Sequence, residues 1–190
     1  MVSIYTPNQG RERRPGQQRT SRRELAAFFR LVHEAHRGQP ITFICVGTDR
    51  STGDSLGPLA GTMLKNKGFT NVLGTMDKPC DAHSLESVIT SIPSEHTVIA
   101  IDACLGLPGS VGLFLTSEGP LWPAQSVGLE LPGIGDYSIA GVVNAYGPKP
   151  YWTLQTTSLH SVLMMASQIA EAAAVGFGLQ IEEAAQYSFR

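Results

Sequence analysis

Asp54 and Asp102 are the residues whose type and placement most directly suggest chemistry. Asp54 follows the apolar run Ile41–Gly47 through the string Thr-Asp-Arg-Ser-Thr-Gly, and Asp102 closes the run Thr97-Val-Ile-Ala-Ile. Short apolar runs bounded by turn residues and separated by helix-length segments predict buried strands of a parallel sheet. In such sheets ligands bind outside the carboxyl ends of the strands, near the point where strand order reverses. Two carboxyl groups delivered there by different strands suit hydrolysis or the holding of a divalent metal, because a packed core would not carry them without partners. The plainer alternative makes Asp54 the N-cap of the following helix and Asp102 a turn residue. Spacing alone leaves both open.

The same loop carries Asp49 and Arg50, and Asp49 is either a third acid of the site or a turn residue. Gly53-Asp54-Ser55-Leu56-Gly57 matches G-x-S-x-G, and its Gly-Asp-Ser-Leu core resembles the signature of the GDSL esterases. A nucleophile elbow needs its serine on a tight strand-to-helix turn, yet the strand ends near Gly47. A serine hydrolase also needs an oriented histidine, and His160 is the only late candidate, with no D-x-x-H before it. A GDSL-type serine hydrolase is therefore the lesser alternative. G-x-G-x-x-G, G-x-x-x-x-G-K-[ST] and H-E-x-x-H are all missing from the sequence, which argues against nucleotide cradles and zincin chemistry.

Alternating elements must position the acids. Ser21-Arg-Arg-Glu24 is a capping box that opens a helix with Leu25, Phe28, Phe29 and Val32 on one face, stopped by Gly38. A strand is expected at 41–47, a helix from Pro58 to about Lys67, a strand over 71–76 and a helix over 81–92 with Asp81 or Ser84 near its cap. A strand follows at 98–103 and another over 111–116. A long loop over 117–135 holds a short strand near 127–131. Ile139, Val142, Val143 and Tyr146 predict a helix from Asp136 to Gly147-Pro148, and 152–157 reads as a last strand. Leu159, Val162, Leu163, Ala166, Ile169 and Ala170 make a final amphipathic helix capped by Thr157 or Ser158. Strands alternating with helices predict an α/β fold, a three-layer, doubly wound, mostly parallel sheet.

The 190 residues fit one domain. Residues 21–178 are expected to form it, between a disordered basic arm (1–20) and a loose tail (179–190). The first 23 residues carry +5 and the rest −7. A basic arm can bind nucleic acid, but aromatic residues do not interleave its arginines beyond Tyr5, so nucleic acid is not expected as a partner. Neither an apolar run long enough to span a bilayer nor an N-terminal h-region is visible, so neither membrane nor secretion is expected. Cys45, Cys80 and Cys104 lack metal spacing and suggest reduced thiols in the cytoplasm. Oligomeric state is not written in the sequence.

The uninterrupted string Val46-Gly-Thr-Asp-Arg-Ser-Thr-Gly-Asp-Ser-Leu-Gly-Pro58, followed by Val98-Ile-Ala-Ile-Asp-Ala103, resembles the sporulation protein YyaC family (DUF1256) over about residues 40–175. That family is similar to the germination protease of spores and to the hydrogenase maturation endopeptidases, with their phosphorylase-like, HybD-like fold. The resemblance implies a sporulation-associated peptidase acting on a protein or peptide in the sporulating cell or forespore. It makes Asp54, in Asp-Ser-Leu-Gly, and Asp102, in Ile-Asp-Ala, the catalytic pair, of aspartic or metal-assisted type. The maturation endopeptidases add a histidine and hold nickel. The equivalent place here is Gly135-Asp136, where Asp136 is either an oxygen ligand or a helix cap. A divalent metal on Asp54 and Asp102 is thus an open expectation, with His160 a further candidate near the site. The alternative class is a non-catalytic sporulation protein that keeps the fold and acts by binding.

Overall fold

A computed structural model describes residues 3–4, 16–123 and 133–179 of the chain. The strands are β1 (Ser3–Ile4), β2 (Gln18–Thr20), β3 (Ile41–Cys45), β4 (Val72–Leu73), β5 (Thr97–Gly106), β6 (Phe114–Glu118) and β7 (Tyr137–Ala145). The α-helices are α1 (Arg22–Ala35), α2 (Leu56–Asn66), α3 (Leu85–Thr90), α4 (Pro150–Gln155) and α5 (Leu159–Gly176).

The strands form one sheet in the order β2-β6-β7-β5-β3-β4, with β1 set beside β5. Four neighbours (β7, β5, β3, β4) run parallel, and β6 runs against both β7 and β2. The chain steps outward from β3 to β4, then crosses back to place β5 on the other side of β3. Strand order therefore reverses between β3 and β5, and the crevice at their carboxyl ends is where such a sheet offers a site.

Both faces of the sheet are covered. One carries Phe43, Ile99, Ile101 and Ile139 against Leu25 and Phe29 of α1, Leu56 and Leu64 of α2, and Val162 and Ile169 of α5. The other carries Ile44, Ala100, Cys104 and Val142 against Leu85 of α3, Cys80 and Leu121. The capping box forms as expected: Glu24 accepts from the Ser21 amide at 2.8 Å and from its hydroxyl at 2.7 Å.

Three expectations are corrected. The segment after Asp136 is strand β7, not a helix. Its Ser-Ile-Ala-Gly-Val-Val core is buried on both faces, so the apolar residues run almost continuously, and Ile139, Val142 and Val143 mimic a helical period by accident. The segment 152–157, expected as a strand, is helix α4, begun by Pro150, whose fixed φ suits a first turn. The arm is not free of the core: Gln18–Thr20 pair antiparallel with Phe114–Thr116, and Ser3–Ile4 pair parallel with Cys104–Leu105. The strand expected near 127–131 and the tail beyond 179 lie outside the described residues.

Buried Thr20 and Thr116 hydroxyls meet at 2.7 Å between β2 and β6. Deleting residues 1–20 should therefore cost about 2 kcal/mol, lowering Tm by roughly 4–8 °C. Calorimetry of the truncated chain checks this, and an unchanged Tm would show that β2 contributes nothing.

Candidate functional site

The site begins where β3 leaves the sheet. Cys45 pairs with Ile101, the Val46 amide donates to the Ile101 carbonyl at 2.7 Å, and the Gly47 amide turns aside to the Cys80 carbonyl at 2.9 Å. Beyond Ile101, β5 has no further β3 partner, and the next residue is Asp102. The departing loop closes on itself when the Thr48 amide donates to the Asp54 carbonyl at 3.2 Å. Asp54 lies in a 3₁₀ turn, Gly53–Ser55, that runs directly into α2. Cα atoms of that turn come within 8 Å of Cα atoms of β5. The two acids thus arise from the segments that flank the strand-order reversal.

Both acids are enclosed, Asp54 at 1% and Asp102 at 0% exposure. Burial pushes the Asp54 carboxyl above the usual range, because the ionised form loses its water. Asp102 Oδ1 accepts from the Ala103 amide at 2.7 Å. The plainer readings fail at both positions: the residue preceding α2 is Ser55, and Asp102 is mid-strand, not in a turn.

Cys80 docks beside the site through a parallel bridge to Val46. Burial first, and then the nearby acids Asp81 and Asp102, push its thiol up to about 11, while a bond from Ser84 opposes them. The other two cysteines are also buried and are pushed up chiefly by burial, so all three free thiols are protonated at neutral pH.

A cavity of about 200 Å³ reaches Asp54 from outside. It is lined by Thr48, Arg50 and Ser51 of the loop, by Asp81 and His83, and by Tyr151 of α4. The Arg50 guanidinium donates to Asp81 at 3.0 Å, and Asp81 Oδ1 accepts from the His83 and Ser84 amides at 3.0 and 3.3 Å. This cluster is not legible in the sequence as part of a site. Asp81 reads there as a cap, and only the docking of Cys80 against Val46 brings it to Arg50.

The remaining candidates separate. Asp49 is exposed and does not line the cavity. His160 is exposed on the first turn of α5 and does not line it either. Asp136 caps no helix and cannot join Asp102. It stands at the opposite edge of the sheet, where Oδ2 accepts from the Val98 amide at 2.8 Å. Val98 precedes Asp102 by four residues, roughly 13 Å along a strand. Asp136→Ala should cost about 1 kcal/mol, roughly 2–4 °C of Tm, and leave the site's chemistry intact. Thermal melts and the cleavage assay below check both halves.

Ser55 donates its hydroxyl to the Thr52 carbonyl at 2.7 Å, and the lining of the neighbouring cavity brings no histidine but the exposed His83. It stands ten residues past the end of β3, within a 3₁₀ turn, which does not match a nucleophile elbow. Nickel fits these residues no better. Asp54 and Asp102 supply two oxygen donors, but no imidazole among the described residues accompanies them to complete the mixed nitrogen and oxygen set that suits nickel. Among the described residues, no group of three His, Cys, Asp or Glu side chains is placed to hold an ion. Among them, too, no helix is long and apolar enough to cross a membrane.

Comparison with known proteins agrees with this architecture. The family profile described as a protein of unknown function, DUF1256, matches residues 17–172. The Bacillus subtilis (strain 168) protein YyaC is 47% identical over 139 residues, covering 70% of this chain and 68% of its own length. The crystal structure of the NiFe hydrogenase maturation protease HycI from Thermococcus kodakarensis KOD1 superposes with a TM-score of 0.52 at 17% identity. The match covers 78% of this chain and 99% of that one. The shared feature is the fold: a mostly parallel sheet with helices on both faces, of the HybD-like kind.

Proposed function

The chain belongs to the DUF1256 family and has the fold of a hydrogenase maturation protease, and from that premise we propose that it is a peptidase of sporulation using Asp54 and Asp102. The observation that carries this reading is the placement of two enclosed carboxyl groups on the segments flanking the strand-order reversal, one of them at the end of an open cavity.

The roles follow from their surroundings. Asp54, whose protonated form burial favours, takes the part of general acid. Asp102, whose Oδ1 accepts the Ala103 amide in a bond that favours the charged form, takes the part of base. Asp102 takes a proton from water as its oxygen adds to the scissile carbonyl carbon. Asp54 then gives its proton to the amide nitrogen as the carbon–nitrogen bond breaks, leaving a carboxylic acid and an amine. The substrate is a protein segment, in keeping with a protease-like fold. No step needs a metal, and the two oxygen donors make a divalent cation an additive to test rather than a premise.

Incubating the purified chain with small acid-soluble spore proteins, with and without a divalent cation, tests the reading. New amino termini appearing in either arm support it. An intact substrate in both arms would overturn it and favour the second reading, a sporulation protein that acts by binding. The observation behind that second reading is the depth of Asp102, which has no surface of its own in contact with water.

A further inference from the structure

Helix α4 has two unlike sides. Its inner side is welded to the site: Leu154 is fully buried, and a Cβ on Gly53 would come within 2.7 Å of Leu154 Cδ2, so the turn that carries Asp54 rests directly on this helix. Asn144, near the end of β7, donates its side-chain amide to the Thr153 carbonyl at 3.4 Å and to Thr157 Oγ1 at 3.2 Å. These bonds pin α4 to the carboxyl edge of the sheet. Its outer side carries Tyr151 and Trp152, exposed at 66% and 63%. Just beyond α4, α5 opens with exposed Leu159, followed one turn later by Leu163.

Large aromatic side chains left in water on a helix held this firmly are costly, and grouped apolar exposure marks surfaces that bind. Tyr151 also lines the cavity that ends at Asp54. The exposed aromatic pair therefore reaches the mouth of the site through Tyr151. Across the same mouth lie Arg50 and Asp81, paired at 3.0 Å with Arg50 largely in solvent. Such a pair is weakly held and opens at little cost to admit a chain.

We propose that Tyr151 and Trp152, with the first turn of α5, form the docking strip for an extended peptide segment of the substrate. The segment would bring an aromatic or branched apolar side chain onto the strip, and so set its backbone in the cavity beside Asp54. This deepens the peptidase reading and rests on the Asp54 cavity being the functional site. It assigns a substrate class: chain segments that expose apolar side chains, meaning unfolded or loosely ordered protein. The rigid aromatic pair supplies contact area at low entropic cost, which is how aromatic anchors dominate recognition surfaces.

The test uses binding, so that it does not depend on cleavage. The full chain carrying Asp54→Asn is titrated into two fluorescein-labelled decapeptides identical except for a central Leu-Phe or Ser-Ser pair, read by fluorescence anisotropy. The Leu-Phe peptide should bind at least about tenfold more tightly. Tyr151→Ala/Trp152→Ala, added to Asp54→Asn, should erase that difference. Both side chains are largely in solvent, and far-ultraviolet circular dichroism confirms the fold. Leu31→Ala, an exposed apolar residue of α1 at 66%, should leave the discrimination intact. Equal binding of the two peptides, or discrimination surviving the double substitution, would overturn the proposal. So would sedimentation showing a dimer that the double substitution dissolves, since a second copy would then cover the strip. If the peptides discriminate while the wild type cleaves nothing, the peptidase reading fails and the docking strip stands. If cleavage occurs without discrimination, the strip fails alone.

Discussion

Asp54→Asn and Asp102→Asn should each abolish cleavage without unfolding the chain. Removing a positioned acid or base typically costs 10²–10⁴ in rate, and under the proposed mechanism the two groups share one proton relay, so each substitution alone should reduce kcat/KM by roughly 10³ or more. Asparagine keeps the size and reach of aspartate but cannot give or take the proton. The stability effect has a sign that distinguishes a site acid from a structural one. Burial raises the folded-state pKa of Asp54 above its unfolded value. Ionisation is then easier in the unfolded chain, so stability is lost as pH rises from about 4, the unfolded value, through the higher folded value. Above that window the cost is fully present. Asp54→Asn removes it, so the variant should melt higher than the parent at pH 7–8. The gap should close as pH falls toward about 4. Calorimetry across pH 4–8 reads this directly. A variant that melts lower at pH 7 would mean that the Asp54 charge holds the fold together, which does not suit a group whose ionisation burial opposes.

Gly47→Ala is expected to destabilise the chain strongly. Gly47 adopts φ +150°, and a Cβ there would overlap the Asp54 carbonyl oxygen and come within 2.8 Å of the Pro58 ring. The first clash is with backbone that the Thr48 amide already holds, so a side-chain rotation cannot relieve it. Strained backbone plus a displaced site loop should cost about 3 kcal/mol or more, which is roughly 6–12 °C of Tm for a chain of this size. Gly38 supplies the control. Its φ is +79°, but nothing lies within 4 Å of the place where a methyl group would sit. Gly38→Ala should cost only the conformational strain, about 1 kcal/mol. Urea titration of both variants separates strain from collision, and similar midpoints would show that the loop yields.

Legibility along the chain follows local physics. The parallel core is readable at β3 and β5, because short apolar runs lie there, and α1 before them and α5 after them carry caps: Glu24 folds back on Ser21, and Ser158 accepts from the Ser161 amide. The acids at the ends of those runs are readable for the same reason. Pattern fails where tertiary context overrides it. A central strand buried on both faces does not alternate, so β7 reads as a helix. Thr153, Thr156 and Thr157 carry strand-like composition, but their hydroxyls satisfy carbonyls four residues earlier, and the segment coils into α4. Asp136 is drawn toward the site only because the strand after it reads as a helix, which puts its edge of the sheet at the wrong end. Arg50, Asp81 and Tyr151 meet only through the docking of three separate loops and helices, and spacing along the chain does not encode that.

The sheet is bounded by very short outer strands, β2 with three residues and β4 with two. An outer strand offers its unused amides and carbonyls to any passing chain, and short ones offer few. Taking β2 away would turn β6 outward, a five-residue strand whose Phe114, Leu115 and Thr116 are now buried. The three residues of β2 therefore also cover the open edge of β6. A chain trimmed back to Ser21 should scatter light on gentle warming at concentrations where the intact chain stays clear, and a lysine in place of Thr116 should slow that growth.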